Sequence, residues 1–86
     1  MRFSWNESKR LENLEKRKVD FREAALIFED PKILEMVNTR SNYGEQRFCA
    51  LGQTDGVYYV VAYTWRGEAR HLITAWKVGE HGRRRY

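Results

Sequence analysis

The spacing of apolar residues changes once along the chain, from a helical period to a strand period, and the fold prediction rests on that change. Before it, residues 3–5 read as a short edge strand. Asn6 stands where a helix cap belongs, ahead of residues 7–17, whose Glu, Lys, Leu and Arg favour a helix. Leu11 and Leu14 fall on one face of that helix and predict its buried side. A second helix starts near Asp20. Asp20 and Glu23 have the spacing of a capping box, in which each side chain answers a free backbone N–H of the other. Phe21, Ala24, Ala25 and Phe28 recur at helical spacing and predict a core stripe. Asp30-Pro31 ends the helix, because the residue before proline avoids helical backbone angles.

Beyond Pro31 the pattern becomes that of strands. Residues 33–37 are a short apolar run, and 38–45, with Asn, Thr, Ser and Gly, read as a loop. Residues 46–51 form a strand. Thr54-Asp55-Gly56 signals a hairpin, since Asp-Gly suits turn positions that need positive φ. Residues 57–64, rich in Val and Tyr, predict a central strand. Trp65-Arg66-Gly67-Glu68 marks another turn, and 69–76 the last strand. Three consecutive strands with tight turns make an antiparallel meander. The basic tail, residues 77–86, predicts a short helix weakened by Gly79 and Gly82. The expected fold is thus α+β: two N-terminal helices on one face of an antiparallel meander sheet, a short basic C-terminal helix, and a second sheet face or its rim left for function.

Composition narrows the chemistry. At 86 residues the chain fits a single small domain, residues 1–86, with little room for a deep pocket. No apolar run approaches membrane-spanning length, and residues 1–6 lack the apolar stretch of a secretory signal. The single cysteine, Cys49, allows no internal disulfide and reads as a buried, inert thiol. Together these predict a cytoplasmic protein. One Cys and two separated histidines give no zinc-ligand spacing, so neither a metal site nor another cofactor is expected. No Gly-rich phosphate loop and no Gly-x-Ser-x-Gly elbow is present. The net charge of +4 is unevenly placed. Residues 1–39 hold eight Lys/Arg against eight Asp/Glu, and residues 40–86 hold eight against four, which points to a polyanion-facing side in the second half.

That half also interleaves Arg47, Arg66, Arg70 and Arg83-Arg84-Arg85-Tyr86 with Tyr58, Tyr59, Tyr63, Trp65 and Trp76. Guanidinium groups hold phosphates bidentately, and aromatic rings stack on splayed bases, so the mixture suits single-stranded RNA. RNA cleavage by its own 2′-OH requires in-line alignment, an acceptor for one proton and positive charge on the pentavalent phosphate. Arg or Lys supplies the charge, and a Tyr or Lys of shifted pKa moves the proton. His71, beside Arg70, reads as a structural or surface residue, and His81 lies in a Gly-flanked tail.

Runs along nearly the whole chain match one known pattern. They are Phe3-Ser4-Trp5-Asn6-Glu7-Ser8-Lys9, Asn13 with Lys16, and Val19-Asp20-Phe21-Arg22-Glu23-Ala24 on to Phe28-Glu29-Asp30-Pro31. Arg47, Gly52, Val60-Val61-Ala62-Tyr63-Thr64, Arg66-Gly67, Arg70, Ile73, Ala75 and the closing Arg83-Arg84-Arg85-Tyr86 continue it. In these the chain resembles the BrnT family of bacterial ribonuclease toxins, the toxic halves of type II toxin–antitoxin systems, with a fold related to RelE-type toxins. It departs where the family has Lys-His at Lys16-Arg17, Arg at Trp76 and Glu at Gly82.

The resemblance implies a metal-independent endoribonuclease. Its RNA substrate would meet Lys16, Arg47, Arg66, Arg70 and Arg83 as catalytic phosphate-binding cations, with Arg17, Tyr63, Arg85 and Tyr86 binding RNA. It also implies a cognate BrnA-type ribbon-helix-helix antitoxin that reaches operator DNA, and no membrane partner. A second reading is a catalytically weak or inactive antitoxin-binding or RNA-binding module of the same fold. A third is a structural domain assembling through exposed Trp5, Trp65 and Trp76.

Overall fold

The computed structural model describes residues 1–38 and 44–79. Most of the expected 38–45 loop and most of the expected C-terminal helix lie outside the described residues. Five strands, β1 Arg2–Trp5, β2 Leu34–Asn38, β3 Arg47–Thr54, β4 Val57–Arg66 and β5 Ala69–Lys77, form one sheet in the order β1-β5-β4-β3-β2. Strands β2 to β5 pair antiparallel in sequence order, as a meander requires. The sheet is nevertheless mixed, because β1 pairs parallel to β5, from Arg2↔Ala69 to Trp5↔Leu72. A first strand that pairs with the last described strand leaves no turn signal to announce its direction.

Two tight turns set the meander register. Asp55 and Gly56, with φ of 49° and 77°, form the two-residue loop between β3 and β4. Gly67, at φ 60°, turns β4 into β5 so that Arg66 pairs with Ala69. β4 therefore runs two residues further than the expected end at 64. A bulge leaves Ile73 without a partner, since Ala62 pairs with Thr74 and Tyr63 with Leu72.

Helix α1, Glu7–Arg17, begins where expected: the Asn6 side chain accepts from the backbone N–H groups of Ser8 and Lys9. Its buried side differs from the expectation. Leu11 and Leu14 are exposed, and Asn13, 6% exposed, is the buried residue of the helix. Asn13 Nδ2 donates to Val19 O and Ala75 O, both at 2.9 Å, while Oδ1 accepts from Thr74 Oγ1 at 3.0 Å and Ala75 N at 3.2 Å. That is the full complement of a primary amide. Where β1 stops, the Asn13 amide takes over as the neighbour of β5, satisfying the N–H and C=O of Ala75 as a strand would. A helix docked on a strand edge by polar pairing has no need of an apolar stripe.

The second helix is one α turn, α2 Phe21–Ala24, followed by a 3₁₀ segment, Ala25–Glu29. Asp20 caps it by accepting from Arg22 N, but the capping box does not close, because the Glu23 carboxylate accepts from Tyr59 Oη at 3.1 Å. Phe21, Ala24, Ala25 and Phe28 are buried as the stripe predicts, against Ala50, Val61, Leu72 and Ala75. The 3₁₀ segment lies so close to β3 that a Cβ at position 52 would sit 2.9 Å from Ile27 Cβ, which explains Gly52. All of this packing uses one side of the sheet.

Candidate nucleic-acid interface

Cross-strand register sorts the second-half cations onto opposite sides of the sheet. Residues paired across a ladder share a face. Tyr59, Val61, Tyr63 and Trp65 of β4 face the helices, together with their partners Lys77, Ala75, Leu72 and Arg70. Thr64 and Arg66, with His71 and Ala69, face the other way. Among the described residues that other face carries no helix, and its side chains fall in rows. Ser4 pairs with His71 and His71 with Thr64. One step past the Phe48↔Tyr63 pair, Arg47 flanks Thr64, and Arg47 pairs with Asn38. The row Ser4–His71–Thr64–Arg47–Asn38 thus crosses all five strands, about 19 Å at ~4.8 Å per strand. Beyond it, Arg2 and Arg66 flank Ala69. Towards the other end of the face stand Met36, Cys49, Ala62 and Thr74, then Leu34, Leu51, Val60 and Trp76.

Arg2 and Arg66 therefore flank His71 at one end of the open face, and Arg47 lies two strands away in the same row. The carboxylate partners of Arg66 and Arg2 hold them loosely: Arg66 lies 3.7 Å from Glu45, and Arg2 lies 3.8 Å from Glu68 with both side chains exposed. Such contacts are worth less than about 1 kcal/mol and yield readily to a phosphate. The imidazole is half-buried, with Nδ1 2.9 Å from Ser4 Oγ and no hydrogen-bond partner for Nε2 among the described residues. Burial, and then the Arg66 charge, push its pKa below the ordinary 6.5, with Glu45 opposing, so the ring is neutral at pH 7. Thr64 is held by donation to Gln46 O at 2.7 Å. Cys49 is half-buried, and burial pushes its thiol pKa up, in keeping with an inert group.

Arg70 and Tyr63 do not join this group. Arg70 lies on the helix-covered side, its side chain 13% exposed, with the guanidinium carbon 4.3, 5.3 and 4.7 Å from the ring centres of Phe28, Tyr63 and Trp65. It also donates to Glu35 at 3.3 Å. Tyr63 is 3% exposed, packed on Phe28 and Phe48, and its hydroxyl donates to Glu35. Burial and that carboxylate push its pKa up. The Tyr63 ring is thus part of the core, and the Arg70 guanidinium braces three rings. Both residues also line a groove of about 330 Å³ with Glu35, Phe48 and Trp65, on the side of the sheet opposite Arg66.

Lys16 and Arg17 form a separate set, about 17 Å further along β5 at ~3.4 Å per residue. Lys16 pairs with Glu12 at 3.2 Å, and Arg17 lies over Trp76 at 5.3 Å from the ring centre. Two of the positions that depart from the family pattern are thus in contact, and they leave a guanidinium on an aromatic face. A groove of about 250 Å³ beside them is lined by Lys9, Glu12, Lys16, Arg17 and Thr74. Of the three tryptophans expected to be exposed, only Trp65 is. Trp5 packs edge-on against Phe21, and Trp76 lies under Arg17. Arg83, Arg85, Tyr86, His81 and Gly82 lie outside the described residues.

Arg2, Ser4 and His71 were absent from the expected site. Their grouping depends on the parallel β1–β5 pairing, which leaves no mark in local spacing. The split between Arg66 and Arg70 follows from the observed two-residue turn, which pairs position 66 with 69 and sends 70 to the opposite face; the expected four-residue turn at 65–68 did not reveal it. Among the described residues no three His, Cys, Asp or Glu side chains gather into a metal-binding group, and no helix is long and apolar enough to cross a membrane. A family model described as the ribonuclease toxin BrnT of type II toxin-antitoxin systems matches residues 5–81. No curated protein matches the chain.

Proposed function

Because the chain belongs to the BrnT family, ribonuclease toxins of type II toxin-antitoxin systems, we propose that it is an endoribonuclease that cuts single-stranded RNA on the open face of its sheet without a metal ion. The observation that carries this reading is the placement of Arg2, Arg47 and Arg66 at one end of a sheet face that carries no helix among the described residues. Guanidinium groups there supply the positive charge that a pentavalent phosphate requires, which is the main task a metal would otherwise perform. Lys16 and the Arg17–Trp76 stack, further along the same strand, hold a neighbouring stretch of the RNA through phosphate contact and stacking. Arg83, Arg85 and Tyr86 are retained as phosphate-binding and RNA-binding groups on sequence grounds.

In the same reading the antitoxin is of the BrnA, ribbon-helix-helix type. It covers the cationic end of the open face, brings the pair to operator DNA and keeps the toxin silent in the cytoplasm. The relation to RelE-type toxins belongs to this proposal as well.

The test is single-turnover cleavage of single-stranded RNA by the purified chain in EDTA. Cleavage is expected, with Arg66→Ala slower by about 10²–10³-fold, the scale of one lost charge-stabilising donor, at unchanged Tm. RNA left intact by the wild-type chain, with or without added Mg²⁺, overturns the reading. Cleavage only with Mg²⁺ overturns its metal independence.

A further inference from the structure

The cations of the open face leave one requirement of the reaction without an owner. A 2′-hydroxyl must lose its proton as it attacks, and a guanidinium cannot take it, since it stays protonated at any working pH. Lys16, the one lysine in the expected site, lies at the far end of β5 beside Glu12. The buried Tyr63 hydroxyl is committed to Glu35. His71 lies between Arg2 and Arg66, with Arg47 two strands away, on the face where the phosphate would lie.

We propose that His71 is the proton acceptor of the cleavage reaction and that Ser4 is its positioning residue, an inference that rests on the ribonuclease reading above. The geometry has three parts. Ser4 and His71 are ladder partners, so the Nδ1···Oγ bond of 2.9 Å is built into the β1–β5 register. A serine hydroxyl accepts as readily as it donates, so it supports the tautomer with hydrogen on Nδ1 and a bare lone pair on Nε2. Nε2 has no hydrogen-bond partner among the described residues, and the residue is half-buried.

In the step itself, Nε2 takes the proton from the 2′-OH as O2′ forms its bond to phosphorus. The P–O5′ bond breaks, leaving a 2′,3′-cyclic phosphate. O5′ takes a proton from a solvent water, and the imidazolium returns its own proton to the hydroxide so formed. Arg66 and Arg47 hold the non-bridging oxygens, and burial together with the Arg66 charge keeps the ring neutral between turnovers. The charged groups around the ring are Arg66 on β4, Glu45 ahead of β3, Arg47 about 10 Å away across two strands, and Arg2 with its partner Glu68 at the strand end. Ser4 and Thr64 are its uncharged polar neighbours. A base must be neutral to act, and this ring loses its proton below pH 6.5. The rate is therefore expected to rise tenfold per pH unit while the ring is protonated and to level off below pH 6.5.

The experiment is single-turnover cleavage of single-stranded RNA in EDTA between pH 5 and 8. It compares the wild-type chain with His71→Gln, Ser4→Ala and Ser4→Thr, each checked for folding by its Tm. His71→Gln is expected to lose about 10²–10⁴-fold and the acidic limb with it. Ser4→Ala is expected to lose about tenfold and keep the limb, and Ser4→Thr, which restores the hydroxyl, recovers the rate. Should His71→Gln unfold, His71→Gly rescued by added imidazole in proportion to its neutral fraction supports the same assignment. A folded His71→Gln that cuts within threefold of wild type with an unchanged pH profile overturns the proposal and leaves the ribonuclease reading intact. A wild-type chain that leaves RNA whole overturns that reading, and this proposal with it.

Discussion

Arg66 and Arg70 stand four residues apart in the chain and face opposite sides of the same sheet. On the covered side, Arg70 is used up: three aromatic rings surround it and Glu35 holds it. On the open side, Arg66 is exposed and, among the described residues, pairs with a carboxylate 3.7 Å away. Residue type is the same in both cases, and strand parity alone decides which arginine is structural and which is available for a phosphate. Counting arginines therefore overstates a polyanion site, and counting them by face corrects the count.

Substitutions that separate folding from cleavage sharpen this contrast. The largest expected stability effect is at Asn13, whose amide answers Val19, Thr74 and Ala75. Asn13→Ala leaves the buried N–H and C=O of Ala75 unsatisfied and is expected to cost about 3 kcal/mol, read as a lowered midpoint in urea denaturation. Next comes Arg70→Ala, which strips the clamp from Phe28, Tyr63 and Trp65 and is expected to cost about 2 kcal/mol, or roughly 10 °C in Tm. Cleavage by its folded fraction should stay within about threefold of wild type. A hundredfold loss of cleavage at unchanged Tm would place Arg70 with Arg66 and collapse the distinction between the faces. The smallest effect has the opposite sign. Lys18 caps α1 at φ 60°, a left-handed angle that glycine adopts freely. Lys18→Gly is expected to raise stability by about 0.5–1 kcal/mol in thermal denaturation without changing cleavage.

Much of the fold was legible because local chemistry dictates it. Asn6 caps, Asp55-Gly56 turns, and the stripe from Phe21 to Phe28 buries, each for reasons contained within a few residues. What was not legible depends on partners far along the chain. Glu23 abandons its own helix end for Tyr59, 36 positions on, and Asn13 docks α1 through Ala75, 62 positions on. The parallel placement of β1 belongs to the same class. For the site, Arg47 and Arg66 were named from composition and fall on the open face. Ser4 and His71, 67 positions apart, meet only through that parallel ladder. The histidine was set aside because its immediate neighbours gave no reason to keep it.

The Asn13 amide also governs how this sheet meets other molecules. Strand β5 is sealed along its outer border, first by β1 and then by that one side chain. The far border, β2, pairs with nothing among the described residues and presents Leu34, Met36 and Val37 to solvent. The opposite border is β1, four residues long and carrying Arg2, so the two edges of the sheet differ in length and in apolar content. A strand added from outside would find the longer and more apolar edge at β2.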